Sequence, residues 1–296
     1  MENFRSLWTH MNQRPFTLDY VDAGGLRTRY AHAGSPDAPT VIMLHGTAGS
    51  LENFAANISP LSEYFNCYAI DLVGCGYSDK PDIDYSMAVY VDHVRRFMDA
   101  MGIAKATFMG VSLGSWISAR FAVAHPQRIE GISMLAPAGL NDHAAAKATI
   151  TKVRGSAAAA PTWESIRTVF NRLILDEKNI LPDMMAVRLR IYQQPDYPRA
   201  MQHVLSVLTP EAWEGNRVKP EEYARLKVPV LVICSVDDPH LDYVKSARDI
   251  AAVIPRCRLV EMKRVAHWPQ FEDPDTFNEV FTRFMHERDS IQGVQK

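Results

Sequence analysis

Near-continuous apolar runs alternate along this chain with longer segments whose apolar residues recur every three or four positions. The runs are TVIMLHG (Thr40–Gly46), CYAIDL (Cys67–Leu72), ATFMGVS (Ala106–Ser112), GISMLAP (Gly131–Pro137), VPVLVICS (Val228–Ser235) and CRLVEM (Cys257–Met262). Strands covered by helices on both faces have this character, because no position along them faces water. Helical spacing occupies Ser86–Met101, Ser115–His125, Asp242–Ile254 and Thr276–His286. The alternation predicts an α/β fold with a mostly parallel sheet flanked by helices. Upstream, FTLDYVDAGGLRTRYAHAG holds two alternating segments around Gly24-Gly25, which predicts an antiparallel hairpin leading into the sheet. The rhythm breaks between Gly139 and about Glu211, where the segments are helical and contain no strand candidate. This predicts a helical lid inserted between two strands. The chain then divides into a first core part (1–138), a lid (139–211) and a second core part (212–296).

Composition narrows the class. The 296 residues are 47% apolar and 22% charged, which suits a single large core. A net charge of −2 supplies no basic field, which argues against a nucleic-acid partner or an anionic membrane surface. The stretch MENFRSLWTHMNQRPF carries an acid at Glu2 and lacks the apolar centre of a secretory signal. No apolar run approaches the roughly 20 residues of a membrane-spanning helix. Cys67, Cys75, Cys234 and Cys257 are scattered and without CxxC spacing, so they read as reduced thiols of a cytoplasmic protein. Nothing in the sequence calls for a cofactor or a metal.

The chemistry-bearing positions sit at strand ends. Gly110-Val111-Ser112-Leu113-Gly114 is a G-x-S-x-G pattern between a strand-like and a helix-like segment, the context that turns a common tripeptide spacing into a nucleophile elbow. The bland alternative is a glycine-rich turn with Ser112 as a helix cap. A serine hydroxyl needs a base, and His267 follows the last strand-like run, where the chain order Ser…Asp…His requires it. VPVLVICSVDD ends in Asp237-Asp238; Asp237 comes first and is taken as the acid that orients the imidazole, with Asp238 in reserve. The oxyanion hole would use the Leu113 N–H and, from the loop HGTAGS, the Thr47 N–H, while His45 would support that loop rather than move protons.

With these residues in place, nearly the whole chain resembles the α/β-hydrolase superfamily. Within it, the resemblance is to the meta-cleavage-product hydrolases, which cut a carbon–carbon bond in 2-hydroxy-6-oxo-hexa-2,4-dienoates. HWPQFEDPDTFN is similar to that family's His-Trp-x-Gln-x-Glu segment leading to Phe-Asn, DLVGCGYSDKP to its post-strand glycine loop, and PTWESIRTVFNRLILDEKNILPDMMAVRLR to its lid. The resemblance implies that Arg188 binds the substrate's carboxylate or 2-oxo group, that Asn53 is a polar-pocket residue, and that Trp268 walls the pocket beside the base. Taken alone, Arg188 reads equally as a solvated helix charge, Asn53 as a helix cap and Trp268 as packing. The family often has asparagine before the serine, where this chain has Val111, and a longer oxyanion loop. Val111 is thus counted with Asn53, Arg188 and Trp268 as a substrate-binding residue, and its departure from the family bears on the substrate rather than on the triad.

The expected activity is a cofactor-independent serine-type hydrolase that cleaves a C–C bond after keto tautomerisation, by attack on the remote carbonyl. A carboxylesterase or lactonase with the same triad is the alternative, and a non-catalytic ligand receptor on the same fold is a further one. The partner is then a small carboxylate or ketone substrate, and the resemblance suggests a homodimer or higher oligomer.

Overall fold

The computed structural model describes residues 5–142, 144–239 and 241–291. Eight strands form one sheet in the order β1-β2-β4-β3-β5-β6-β7-β8. They are β1 (Thr17–Asp22), β2 (Arg27–Ala33), β3 (Thr40–Leu44), β4 (Asn66–Ile70), β5 (Ala106–Val111), β6 (Ile129–Leu135), β7 (Val230–Ser235) and β8 (Cys257–Met262). β1 and β2 pair antiparallel, β2 meets β4 antiparallel, and every later pairing is parallel. The expected hairpin and the six expected strands are therefore present. Gly24 and Gly25, at φ +66° and +87°, make the hairpin turn in a region closed to most side chains.

Position in the sheet explains the patterning. β4, β5 and β7 are buried at every residue, which is why they read as unbroken apolar runs. The edge strands β1 and β8 are largely exposed or half-exposed, so CRLVEM, read as a strand covered on both faces, instead forms an open edge of the sheet. Helices Met87–Ala100, Leu113–Ala124, Leu241–Val253 and Pro274–Glu287 occupy the segments with helical spacing. Between β6 and β7 the described residues are helical without a strand: Ala144–Ala159, Trp163–Phe170, Pro182–Tyr192, Tyr197–Ser206, Pro210–Asn216 and Pro220–Tyr223. Helices thus continue past residue 211 toward β7. Pro210 and Pro220 begin helices, where a missing N–H costs nothing, instead of ending the helical region.

The four cysteines are free thiols. No helix among the described residues is long and apolar enough to cross a membrane.

Candidate active site

Parallel strands all deliver their carboxyl ends to one edge of the sheet, and ligand sites in open α/β sheets form there. β3 ends just before His45, β5 before Ser112, β7 before Asp237-Asp238, and β8 shortly before His267.

Ser112 adopts φ +52°, ψ −110° between β5 and the helix Leu113–Ala124, the strained turn that the sequence pattern predicts. Its two glycines are required by contact. A Cβ on Gly110 would stand 2.3 Å from the Gly114 carbonyl carbon, and one on Gly114 would stand 2.0 Å from the Leu44 carbonyl oxygen. The elbow therefore closes only if both positions lack side chains, and this seats the helix N-terminus against the end of β3. Leu113 is the first residue of that helix, so its N–H has no intrahelical acceptor.

The loop after β3 is held from below by His45. Its Nδ1–H donates to the Gly46 carbonyl at 2.7 Å, and its Nε2 accepts from the Leu72 N–H at 3.0 Å. Burial pushes its basicity down to about 3, with Arg188 and Arg154 adding to the effect, so the ring is neutral and structural as expected. The Gly49 N–H closes the turn onto the Gly46 carbonyl at 3.0 Å, and Ala48 takes a positive φ of 50°. Thr47 lines the cavity together with Ser112, and its N–H has no acceptor among the described residues.

The acid departs from expectation. Asp237 is exposed, and its Oδ2 accepts from the Arg264 N–H at 2.7 Å, fixing the turn after β8. Asp238 is 2% exposed, and its Oδ2 lies 3.9 Å from His267 Nδ1. Adjacent residues in a turn face opposite ways. Chain order put Asp237 first, but the side chain that faces His267 belongs to Asp238. The His267 ring also packs edge-on against Tyr243, with centroids 4.4 Å apart.

One cavity is lined by Ser112, His267, Thr47, Asn53, Arg188 and Trp268, so the structure brings together most of the expected site. Arg188 is 2% exposed, and its Nη1 donates to the Ala48 carbonyl at 3.0 Å and its Nη2 to Asn53 Oδ1 at 3.1 Å. The surface-charge reading of Arg188 and the capping reading of Asn53 therefore fail: the two side chains are bonded to each other under the oxyanion loop. Trp268 is buried, and its ring meets Phe170 of the helix Trp163–Phe170 edge-on at 5.6 Å. Val111 is the exception. It is fully buried within β5 and absent from the cavity lining, so the expectation that it contacts substrate is corrected: as the last residue of a central strand it is covered by packing.

A second arm opens from Thr47, Ser112 and Tyr243 toward Leu113, Trp116, Leu208 and Trp213 and is mostly apolar. Ser112 thus stands at the junction of a polar, arginine-bearing arm and an aromatic one.

Sequence reasoning missed the fastening of the histidine loop. Glu272 accepts from the Ala266 N–H and, across to the insertion, from the Leu175 N–H, each at 2.7 Å. Gln270 Nε2 donates to the Asn53 carbonyl at 3.2 Å, and Asn57 Nδ2 donates to the Gln270 carbonyl at 2.7 Å and to Asn278 Oδ1 at 2.9 Å. The polar members of HWPQFEDPDTFN are therefore brackets between the histidine, the oxyanion-loop helix and the insertion. Among the other histidines, His93 is buried between Thr28 Oγ1 at 2.8 Å and the Val73 N–H at 3.1 Å, while His143 and His240 lie outside the described residues.

Comparison with known proteins places the fold. Residues 39–274 match the family described as alpha/beta hydrolase fold, and the chain belongs to that family. It is 26% identical over 285 residues to a 2-hydroxy-6-oxo-6-phenylhexa-2,4-dienoate hydrolase of Comamonas testosteroni, covering 90% of this chain and 94% of that one. It is also 28% identical over 269 residues to the dihydrolipoyllysine-residue acetyltransferase component of the acetoin cleaving system of Cupriavidus necator, covering 90% of this chain and 68% of that one. Among solved structures, the 2-hydroxy-6-oxo-6-phenylhexa-2,4-dienoate hydrolase of Rhodococcus sp. strain RHA1 superposes with a TM-score of 0.78 at 22% identity, covering 92% of this chain and 99% of that one. The Comamonas and Rhodococcus proteins are hydrolases of the kind to which the sequence showed a resemblance.

Proposed function

We propose that the protein is a serine-type hydrolase of the C–C bond in a 2-hydroxy-6-oxo-dienoate, with Ser112, His267 and Asp238 as its triad. The observation that carries the reading is the Arg188–Asn53 pair, buried in the same cavity as Ser112 and His267. A simple esterase has no use for a desolvated guanidinium in the same cavity as the serine, whereas a dienoate carboxylate pairs with it in a charge-assisted bond. The carboxylate end would lie in the arginine arm, and the acyl end in the arm of Trp116 and Trp213. Tautomerisation to the keto form turns the bond to be broken into one whose departing carbon can hold an electron pair. His267 takes the proton from the nucleophile, either Ser112 Oγ or a water, as it adds to the remote carbonyl. The oxyanion forms against the Thr47 and Leu113 N–H groups. Its collapse breaks the C–C bond, and the electron pair passes along the conjugated chain to the 2-oxygen, which takes the proton held on His267 to give the 2-hydroxydienoate. The carboxylic acid forms directly where water is the nucleophile, and by hydrolysis of the Ser112 ester by a water where serine is. Asp238 keeps the imidazole oriented and stabilises its charged form.

A substrate panel tests this. Oxo-dienoates with aryl and alkyl tails should exceed simple aryl esters in kcat/KM, and Ser112→Ala should bind the chromophoric dienoate while turning it over very slowly. A ranking with esters on top would replace the reading with an esterase or lactonase. Arg188→Met should cost roughly 10- to 100-fold on the dienoate, the worth of one charge-assisted bond, and far less on neutral esters. Equal losses on both would remove Arg188 from substrate binding.

A further inference from the structure

The arginine arm holds more positive charge than one carboxylate can answer. Besides Arg188, its walls include Arg154 from the helix Ala144–Ala159 and Arg172, just after the helix Trp163–Phe170, and they include no Asp or Glu. Arg154 is 8% exposed, and its Nη1 has no hydrogen-bond partner among the described residues. Arg188 Nε is likewise buried without one. None of the three guanidiniums has an ion-pair partner among the described residues. The lysine of the other arm behaves differently: Lys147 Nζ lies 2.7 Å from Asp142 Oδ1. Arg154 and Arg188 also both act on the buried His45 ring, which places them around one end of the cavity.

A desolvated guanidinium without an anionic partner is costly even where neutral acceptors take some of its N–H groups, and the cost is offset when an anion enters. Two such groups facing one enclosed space, with a third half-buried beside them, form a receptor for more than a single negative charge. We infer that the substrate is a dianion at this end: it carries a second carboxylate near the one held by Arg188, and Arg154 receives it with Arg172 beside it. The inference rests on the reading of Arg188 as the carboxylate receptor and narrows the substrate class within it.

The test is direct binding, which needs no turnover. Saturated straight-chain monocarboxylates and α,ω-dicarboxylates of three to eight carbons are titrated calorimetrically into the wild-type protein at fixed ionic strength. At least one diacid should bind about tenfold or more tightly than the monoacid of equal length, the gain of one further charge-assisted bond. The best chain length reports the spacing of the two receptors. Arg154→Met should close that gap and Arg154→Lys should keep part of it, since the charge remains while the fork is lost. Equal affinity for mono- and diacids at every length in the wild type overturns the inference whether or not the variants fold. So does a diacid preference that survives in folded Arg154→Met. Diacid preference without cleavage of oxo-dienoates would keep the anion receptor and refute the C–C hydrolase reading; cleavage without diacid preference would do the reverse.

Discussion

At the scale of single residues, the site separates neighbours that the sequence presents as near-equivalent. Asp237 and Asp238 share a turn, yet one bonds a backbone N–H at the surface and the other is buried beside His267. Replacing Asp238 with Asn leaves the shape but removes the charge that stabilises the imidazolium. The kcat should fall by roughly a thousandfold or more, as loss of the triad acid does elsewhere. Asp237→Asn should stay within a few-fold of wild type. Steady-state rates of the two variants on one substrate decide the matter, and the opposite order would restore Asp237 to the triad. The elbow was legible in the sequence because its glycines are demanded by local contacts that no other residue satisfies. The acid was not, because which of two adjacent carboxylates faces the histidine depends on where the turn after β8 ends up. Arg154 was illegible for the same reason: in AAAKATITKVRGSAAAA it has the look of a solvated helix charge, and only the cavity beneath the insertion marks it out.

At the scale of elements, the strands and major helices follow from patterning, but their fastening does not. Glu272 shows why. A lone acid after an aromatic pair carries no periodic signal, yet its two oxygens tie the histidine loop to the insertion. Glu272→Gln keeps one acceptor of two, so the loop should loosen and kcat should drop by roughly ten- to a hundredfold, the cost of misplacing a catalytic group by about an ångström. Glu272 also titrates. Burial pushes its carboxyl from 4.5 up to about 7, against the opposing hydrogen bonds from the Ala266, Leu175 and Asp176 backbones. A folded-state value above the unfolded one means that the native protein holds this proton more firmly. Its contribution to stability is therefore present at low pH and is lost as pH rises from about 4.5 through about 7. The melting temperature of wild type relative to Glu272→Gln should accordingly decline between pH 5 and pH 8. A constant difference across that range would show that Glu272 does not titrate there.

At the scale of the whole molecule, the loop after β3, proposed to hold the oxyanion, is anchored to the sheet by buried charge. Arg29 on β2 reaches Glu52 at 2.5 Å, in the helical turn after the loop, and Asp71 at 3.1 Å, after β4. Asp71 also accepts from the Leu51 N–H at 2.7 Å and the Tyr77 N–H at 2.8 Å. The glycine loop read as a family feature has its physical cause here: at Gly76, φ +55°, a Cβ would stand 2.0 Å from the Asp71 carboxylate. Burial opposes the charge on Arg29, but Asp71 and Glu52 outweigh it and hold the guanidinium firmly protonated. Burial likewise raises the Asp71 carboxyl to about 6, with Arg29 pulling the other way. Arg29→Met would leave two carboxylates together without their cation, at a cost of about 3–5 kcal/mol near neutral pH. Without Arg29, Asp71 holds its proton to still higher pH, so its folded-state value lies further above the unfolded one. Part of the loss should therefore return as the pH is lowered to 5 and Asp71 takes up a proton. Urea denaturation of wild type and Arg29→Met at pH 5 and pH 7.5 measures both quantities. A deficit equal at the two pH values would mean that the cluster contributes packing rather than charge compensation.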